Sequence, residues 1–204
     1  MMQHFKSTIT KEEIAALPVF VFNGPITVIE DTRQMEEAVR FLLQQEYLGF
    51  DTETRPSFRK GESHPVSLLQ LATPEEVFLF RLNKCGFGLS LQCLLSDPRV
   101  MKIGVGIRDD IRNLNKSAAF SPHSFVDLQE YVSRFGIEEK SFSKLMAIIF
   151  GYRISKRQRT TNWEALVLTE AQVRYAATDA WGALCMYQRL VLLETSALQV
   201  GKVK

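Results

Sequence analysis

Apolar and polar positions alternate in two rhythms along this chain. Near the N-terminus and again from Thr32 to about Gln45 the apolar residues recur at helical spacing, and Thr10-Lys11-Glu12-Glu13 has the form of a capping box. A short strand over Ile26 to Ile29 is predicted between these helices. Three apolar, β-rich runs follow, Tyr47 to Thr52, Val66 to Ala72 and Val77 to Leu82, separated by loops with Pro or Gly, and they predict neighbouring strands. A helix over Leu89 to Leu95, a strand over Val100 to Val105, a helix from about Ile107 to Lys116 and a further strand over Phe125 to Leu128 come next. The remainder is mainly helical. Its best-defined element begins at Thr169-Glu170-Ala171-Gln172, which has capping-box spacing, and runs to about Glu194. Strands followed by strand-helix alternation imply an α/β fold with a mixed sheet covered by helices.

No internal repeat, low-complexity tract or linker divides the 204 residues, so a single domain over 1–204 is expected. An apolar content of 46% and a charged content of 24% are those of a folded globular chain. No apolar run approaches the roughly 20 residues that cross a bilayer, and the polar start Met1 to Thr10 lacks a secretory apolar segment. A cytoplasmic location and no membrane partner are therefore expected. Cys85, Cys93 and Cys185 form no close pair and read as small core residues rather than as a disulfide framework or zinc site. A net charge of +2 does not by itself mark a polyanion-binding protein, which leaves the argument to the distribution of charge.

Three clusters carry chemistry. In Gly49-Phe50-Asp51-Thr52-Glu53 an apolar strand ends on two carboxylates two residues apart, so both point to one face and are able to share a cation. Such a pair is common by chance, and a solvated strand end is its plainer reading. Its place at the end of a central strand, where open α/β sheets hold ligands, argues for more. In Ile103-Gly104-Val105-Gly106-Ile107-Arg108-Asp109-Asp110 a buried strand turns through glycine into a helix, and either Asp109 or Asp110 can face the first pair or simply suit a helix's first turn. In Tyr175-Ala176-Ala177-Thr178-Asp179 the outer residues are offset by about 40° and about 6 Å along a helix, hence share a face. A core tyrosine beside a surface aspartate would give the same spacing.

In order, spacing and context these clusters resemble the three motifs of the DEDD exonuclease superfamily in its tyrosine-containing subclass, on the ribonuclease D and Werner syndrome exonuclease-domain branch. The resemblance runs from about Tyr47 to Leu190 and includes Val66-Ser67-Leu68-Leu69-Gln70-Leu71 and the stretch from Asn162-Trp163 to Leu168-Thr169. It implies a ribonuclease H-like mixed β-sheet of about five or six strands flanked by helices, with a core over about 24–194. It places the first acids on Asp51 and Glu53, the second on Asp110 rather than Asp109, and the last pair on Tyr175 and Asp179. Arg174 stands where the histidine subclass has its histidine.

The resemblance further implies 3′-5′ exonuclease activity on DNA or RNA with a free 3′ end, by two-metal hydrolysis releasing nucleoside 5′-monophosphates. Asp51, Glu53, Asp110 and Asp179 would hold two divalent cations, Mg²⁺ or Mn²⁺, and Tyr175 would orient the attacking water. The physics agrees with cations: two unit charges at 4 Å repel by about 4 kcal/mol at an effective dielectric near 20, and all-oxygen ligands suit hard divalent metals. Two loops are basic. Arg55, Arg59 and Lys60 follow the first acids, and Arg153, Lys156, Arg157 and Arg159 precede the last helix; these are candidate phosphate contacts, with Phe58 a candidate stacking residue. Solvated loops are the plainer reading of each. Leu69 suits either a contact to the terminal nucleotide or the core, His64 a loop, and Trp163 and Trp181 the core. Two other functions fit the same features: a catalytically degenerate nucleic-acid-binding module and a ribonuclease H-like endonuclease. Protein partners are not readable.

Overall fold

The computed structural model describes residues 5–59 and 61–201, with side chains as far as 196. Lys60, one of the basic residues singled out above, and the first four residues of the polar start lie outside the described residues.

The chain opens with α1 (Lys11–Ala15), whose capping box is formed: Thr10 Oγ1 accepts from the Glu13 N–H, and the Glu13 carboxylate accepts from the Thr10 N–H at 2.8 Å. After β1 (Ile26–Ile29), Asp31 caps α2 (Thr32–Leu42), which buries Met35, Ala38, Val39 and Leu42 at helical spacing. Next come β2 (Tyr47–Thr54), β3 (Val66–Ala72), β4 (Val77–Phe80), α3 (Leu82–Cys85) and α4 (Leu89–Ser96). Then β5 (Met101–Gly104), α5 (Arg108–Ser117), β6 (Phe125–Asp127) and α6 (Leu128–Tyr131) lead through a 3-10 turn (Val132–Phe135) to α7 (Phe142–Phe150) and α8 (Glu170–Gly201).

The strands form one six-stranded mixed sheet in the order β1-β4-β3-β2-β5-β6. Antiparallel pairing joins β2 to β3 and β3 to β4, whereas β1 runs parallel to β4 and β5 and β6 run parallel to β2. Strand alternation divides the packing. Leu48, Phe50, Leu69, Leu71, Phe78 and Phe80 pack with α2, α4 and α5, while Leu68, Ala72, Val77 and Leu79 pack with Trp163 and the alanines of α8. A third cluster joins Ile103 to α7 and the later part of α8.

Helix α8 lies directly on β2. A Cβ placed on Gly49 would come 2.0 Å from the Ala180 carbonyl oxygen, so only glycine admits this approach. Among the described residues no helix is long and apolar enough to cross a membrane.

The strand predicted over Val77 to Leu82 stops at Phe80, because the chain turns at Arg81 into α3. The Arg81 side chain is buried, and its guanidinium donates to Glu30 at 2.7 Å, to the Leu166 carbonyl at 2.9 Å and to the Ala165 carbonyl. That cation ties the end of β4 to the segment entering α8.

Candidate active site

Asp51 and Glu53 stand at the end of β2 on the face turned to α8, with the same parity as Gly49. The cap of α8 sets its register: Gln172 N–H donates to Thr169 Oγ1 at 3.2 Å, and Thr169 N–H donates to Gln172 Oε1 at 3.0 Å. From that start Tyr175 and Asp179 fall on the face toward β2, one turn apart. One carboxylate oxygen from each of Asp51, Glu53 and Asp179 lies within 4.8 Å of the other two. Asp179 is buried, and its Oδ1 has no hydrogen-bond partner among the described residues. The Tyr175 hydroxyl lies near the same carboxyl group and opposes the rise in its pKa.

The two candidate acids of α5 part ways. Asp109 faces solvent and pairs with Arg112 at 2.8 Å. Asp110 is half-buried and accepts a hydrogen bond from the Thr52 hydroxyl, outside the tight trio yet close enough to raise the carboxyl pKa of Asp51 and Glu53. Asp127 fixes this approach: its carboxylate accepts from Gly106 N–H at 2.8 Å and Ile107 N–H at 3.2 Å. Gly106 supplies the positive φ of 74° that the turn requires.

Burial and mutual repulsion shape the titration of the acids. Burial, then Asp179, Asp110 and Glu53, hold the Asp51 carboxyl well above the ordinary range. Glu53 is pushed up to about 9 by burial and by Asp179 and Asp110, against the opposing charge of Arg159. Burial raises Asp179 to about 7 against the Tyr175 hydroxyl, and burial raises Asp110 against its bond from Thr52. Burial and the neighbouring carboxylates raise Tyr175, so it stays a phenol at neutral pH. Crowded hard oxygens, one of them orphaned, fit a divalent cation: an added positive charge relieves the repulsion and the orphaned Oδ1 gains a partner.

The basic residues are placed unequally. Arg159 is exposed, and its charge is felt by Glu53. Arg55 pairs with Glu164 at 3.3 Å, linking the loop after β2 to the segment before α8. Phe58 is 84% exposed, and Arg59, Lys156 and Arg157 are exposed. Arg153 is turned to the N-terminal segment, donating to the Leu17 carbonyl at 2.9 Å. His64 pairs with Glu62 at 3.4 Å. Leu69 is completely buried on the face opposite the acids, packed among α2 and α4 residues. Trp163 is completely buried, its ring 6.2 Å from that of Tyr175, and Trp181 donates to the Pro74 carbonyl at 2.9 Å. Thr52 and Asp127 were not singled out from sequence. The available signals were a hydroxyl between two strand-end acids and an acid closing a short strand.

A six-stranded mixed sheet that carries clustered carboxylates on its central strand and an adjoining helix defines a ribonuclease H-like, exonuclease-type protein. The description 3′-5′ exonuclease belongs to the family model that matches residues 26–193, and the chain belongs to that family. It is 31% identical over 184 residues to the mouse bifunctional 3′-5′ exonuclease/ATP-dependent helicase WRN, covering 85% of this chain but 13% of that protein. With ribonuclease D of Gluconacetobacter diazotrophicus it shares 30% identity over 174 residues, 83% of this chain and 43% of the relative. Thus the chain spans less than half the length of either relative. Its fold is that of the Aedes aegypti Nibbler EXO domain, with a TM-score of 0.78 at 23% identity over 88% of this chain and 94% of that one.

Proposed function

We propose that this chain is a 3′-5′ exonuclease that hydrolyses phosphodiester bonds one nucleotide at a time from the 3′ end of DNA or RNA, releasing nucleoside 5′-monophosphates. The observation that carries this reading is the convergence of Asp51, Glu53 and Asp179 within 4.8 Å in a chain of the exonuclease family. Asp51, Glu53, Asp179 and Asp110 would hold two divalent cations, Mg²⁺ or Mn²⁺. When bound, such ions lower the pKa of a water and neutralise charge on the leaving 3′ oxygen.

The chain's own groups supply the rest. Tyr175 keeps its proton, so it serves as a donor that orients the attacking water and not as a phenolate base. Arg159 brings positive charge beside Glu53, where the terminal phosphate would lie. Arg55, Arg59, Arg157 and, outside the described residues, Lys60 are proposed phosphate contacts, with Phe58 stacking on a base. Packing of every strand into one sheet supports reading residues 1–204 as a single domain with its core at 24–194. A cytoplasmic site of action belongs to the same proposal.

The test is digestion of matched 5′-labelled DNA and RNA strands with Mg²⁺ or Mn²⁺, with Asp51→Asn as control. A ladder shortening from the 3′ end and lost in the variant is expected. Binding without metal-dependent cleavage would instead identify a degenerate module, and cutting of a closed circular strand would identify an endonuclease.

A further inference from the structure

The polar atoms left without partners in the interior point to one place. Among the described residues, the buried side-chain nitrogens and oxygens that lack a hydrogen bond are Arg81 Nε and four atoms of Gln70, Trp163 and Asp179. Those three residues belong to the packing between the sheet and α8. Gln70 is the cross-strand partner of Asp51, and directly paired residues project to the same face, so its carboxamide enters the layer that holds the acids. Its other neighbours there are apolar: Leu68 and Ala72 along β3, Leu79 across β4, and the alanines of α8 above. An amide stripped of water in such surroundings destabilises the fold for each group left unmet. A leucine or methionine would avoid that cost.

The four atoms complement one another. The indole Nε1 of Trp163 is a donor only, an ionised carboxylate is an acceptor only, and an amide is one of each. None of the four is bonded to another in the structure, and by donor and acceptor type one pairing would satisfy all of them: Gln70 Oε1 with the indole and Gln70 Nε2 with the carboxylate. Asp51 is the less needy acceptor, because its Oδ1 already receives the Thr52 N–H at 2.9 Å, whereas Asp179 Oδ1 receives nothing.

We propose that Gln70 is a positioning residue of the acid site, accepting from the Trp163 indole and donating to Asp179 Oδ1, directly or through one buried water. The link would hold Asp179 aimed at the cation position, and would couple Trp163, which packs against Tyr175, to the metal ligands. It rests on the exonuclease reading above. A residue that acts through a metal ligand in this way characteristically changes metal affinity or activity by about 10-fold to 100-fold when replaced.

The experiment compares Gln70→Met with the wild-type chain in three measurements: Mn²⁺ affinity by calorimetry, kcat and KM on a 5′-labelled single strand, and thermal melting without metal. Met keeps the length and removes both polar atoms. Mn²⁺ affinity and kcat are expected to fall about 10-fold or more, with KM for the strand within about 2-fold and the metal-free melting temperature unchanged or higher. Trp163→Phe, which keeps a ring and removes the donor, should lower the same two quantities, and the double variant should lose no more than the larger single loss. Wild-type Mn²⁺ affinity and kcat in Gln70→Met would overturn the proposal, as would additive losses in the double variant. Should Gln70→Met fail to fold, Trp163→Phe carries the same comparison from the other end of the link. A wild-type chain that neither binds Mn²⁺ nor shortens the strand would overturn the exonuclease reading itself, a result distinct from retained affinity in the variant.

Discussion

Thr52 donates its hydroxyl proton to Asp110, a bond that joins the strand bearing Asp51 and Glu53 to the first turn of α5. Because strand side chains alternate, Thr52 faces away from its two acidic neighbours, and Asp110 is held beside the trio rather than within it. Asp110→Asn should therefore reduce turnover by 100-fold or more, on the order of the loss of a charge-stabilising group. Asp109→Asn should stay within about 2-fold of wild type. Thr52→Val, which keeps the β-branched shape, should reduce turnover about 10-fold with little change in melting.

Metal-free stability should fall as pH rises. The buried acids keep protons that the unfolded chain releases near its ordinary carboxylate range around 4, so the folded state binds more protons above that point. Their stabilising contribution is fully present at acid pH and is lost as pH passes through about 7 for Asp179 and about 9 for Glu53. Chelated protein melted from pH 5 to 9 should show a declining midpoint. Added Mg²⁺ or Mn²⁺ should raise the midpoint most at the alkaline end, and a flat profile would count against the crowded-acid account.

Asp51→Asn should abolish turnover while raising the melting temperature of the metal-free protein, since it removes a buried carboxyl that must take up a proton on folding at neutral pH. A gain of about 1 kcal/mol corresponds to roughly 2–4 °C for a domain of this size. Loss of activity with a lowered midpoint would mean that the carboxylate supports the fold instead.

Tyr175→Phe should lower kcat by about 10-fold to 100-fold with little change in strand binding, as for a group that aligns a reactant. No limb of the pH-rate profile should belong to the phenol, which burial and its carboxylate neighbours keep protonated.

Arg81→Met should destabilise the chain by about 2 kcal/mol, because the Ala165 and Leu166 carbonyls lose their charged donor. Denaturant midpoints measure this. Turnover should fall more steeply with temperature than in the wild type, as the segment entering α8 loosens.

Which parts of this molecule were readable beforehand follows from how local their causes are. The strand-end acids and the helix pair Tyr175 and Asp179 depend on strand alternation and helical spacing, which the chain states outright. The choice between Asp109 and Asp110 does not: neighbouring helix residues point about 100° apart, and the start of α5 is set by Asp127, far along the chain. Leu69 was ambiguous because β3 is covered on both sides, so an all-apolar run carries no alternation to mark its faces. Arg81 fell inside the strand predicted over Val77 to Leu82, and its burial depends on carbonyls 84 and 85 residues away.

Gly49 gives the site its ruler. The seam where its bare backbone meets the Ala180 carbonyl lies two residues from Asp51 on one side and one residue from Asp179 on the other. The separation between those acids is thereby gauged by main chain against main chain, insulated from changes in the larger side chains that fill the layer elsewhere. A single methyl group at position 49 would act as a wedge, prising apart the two halves of the site by about the tolerance that divalent coordination allows.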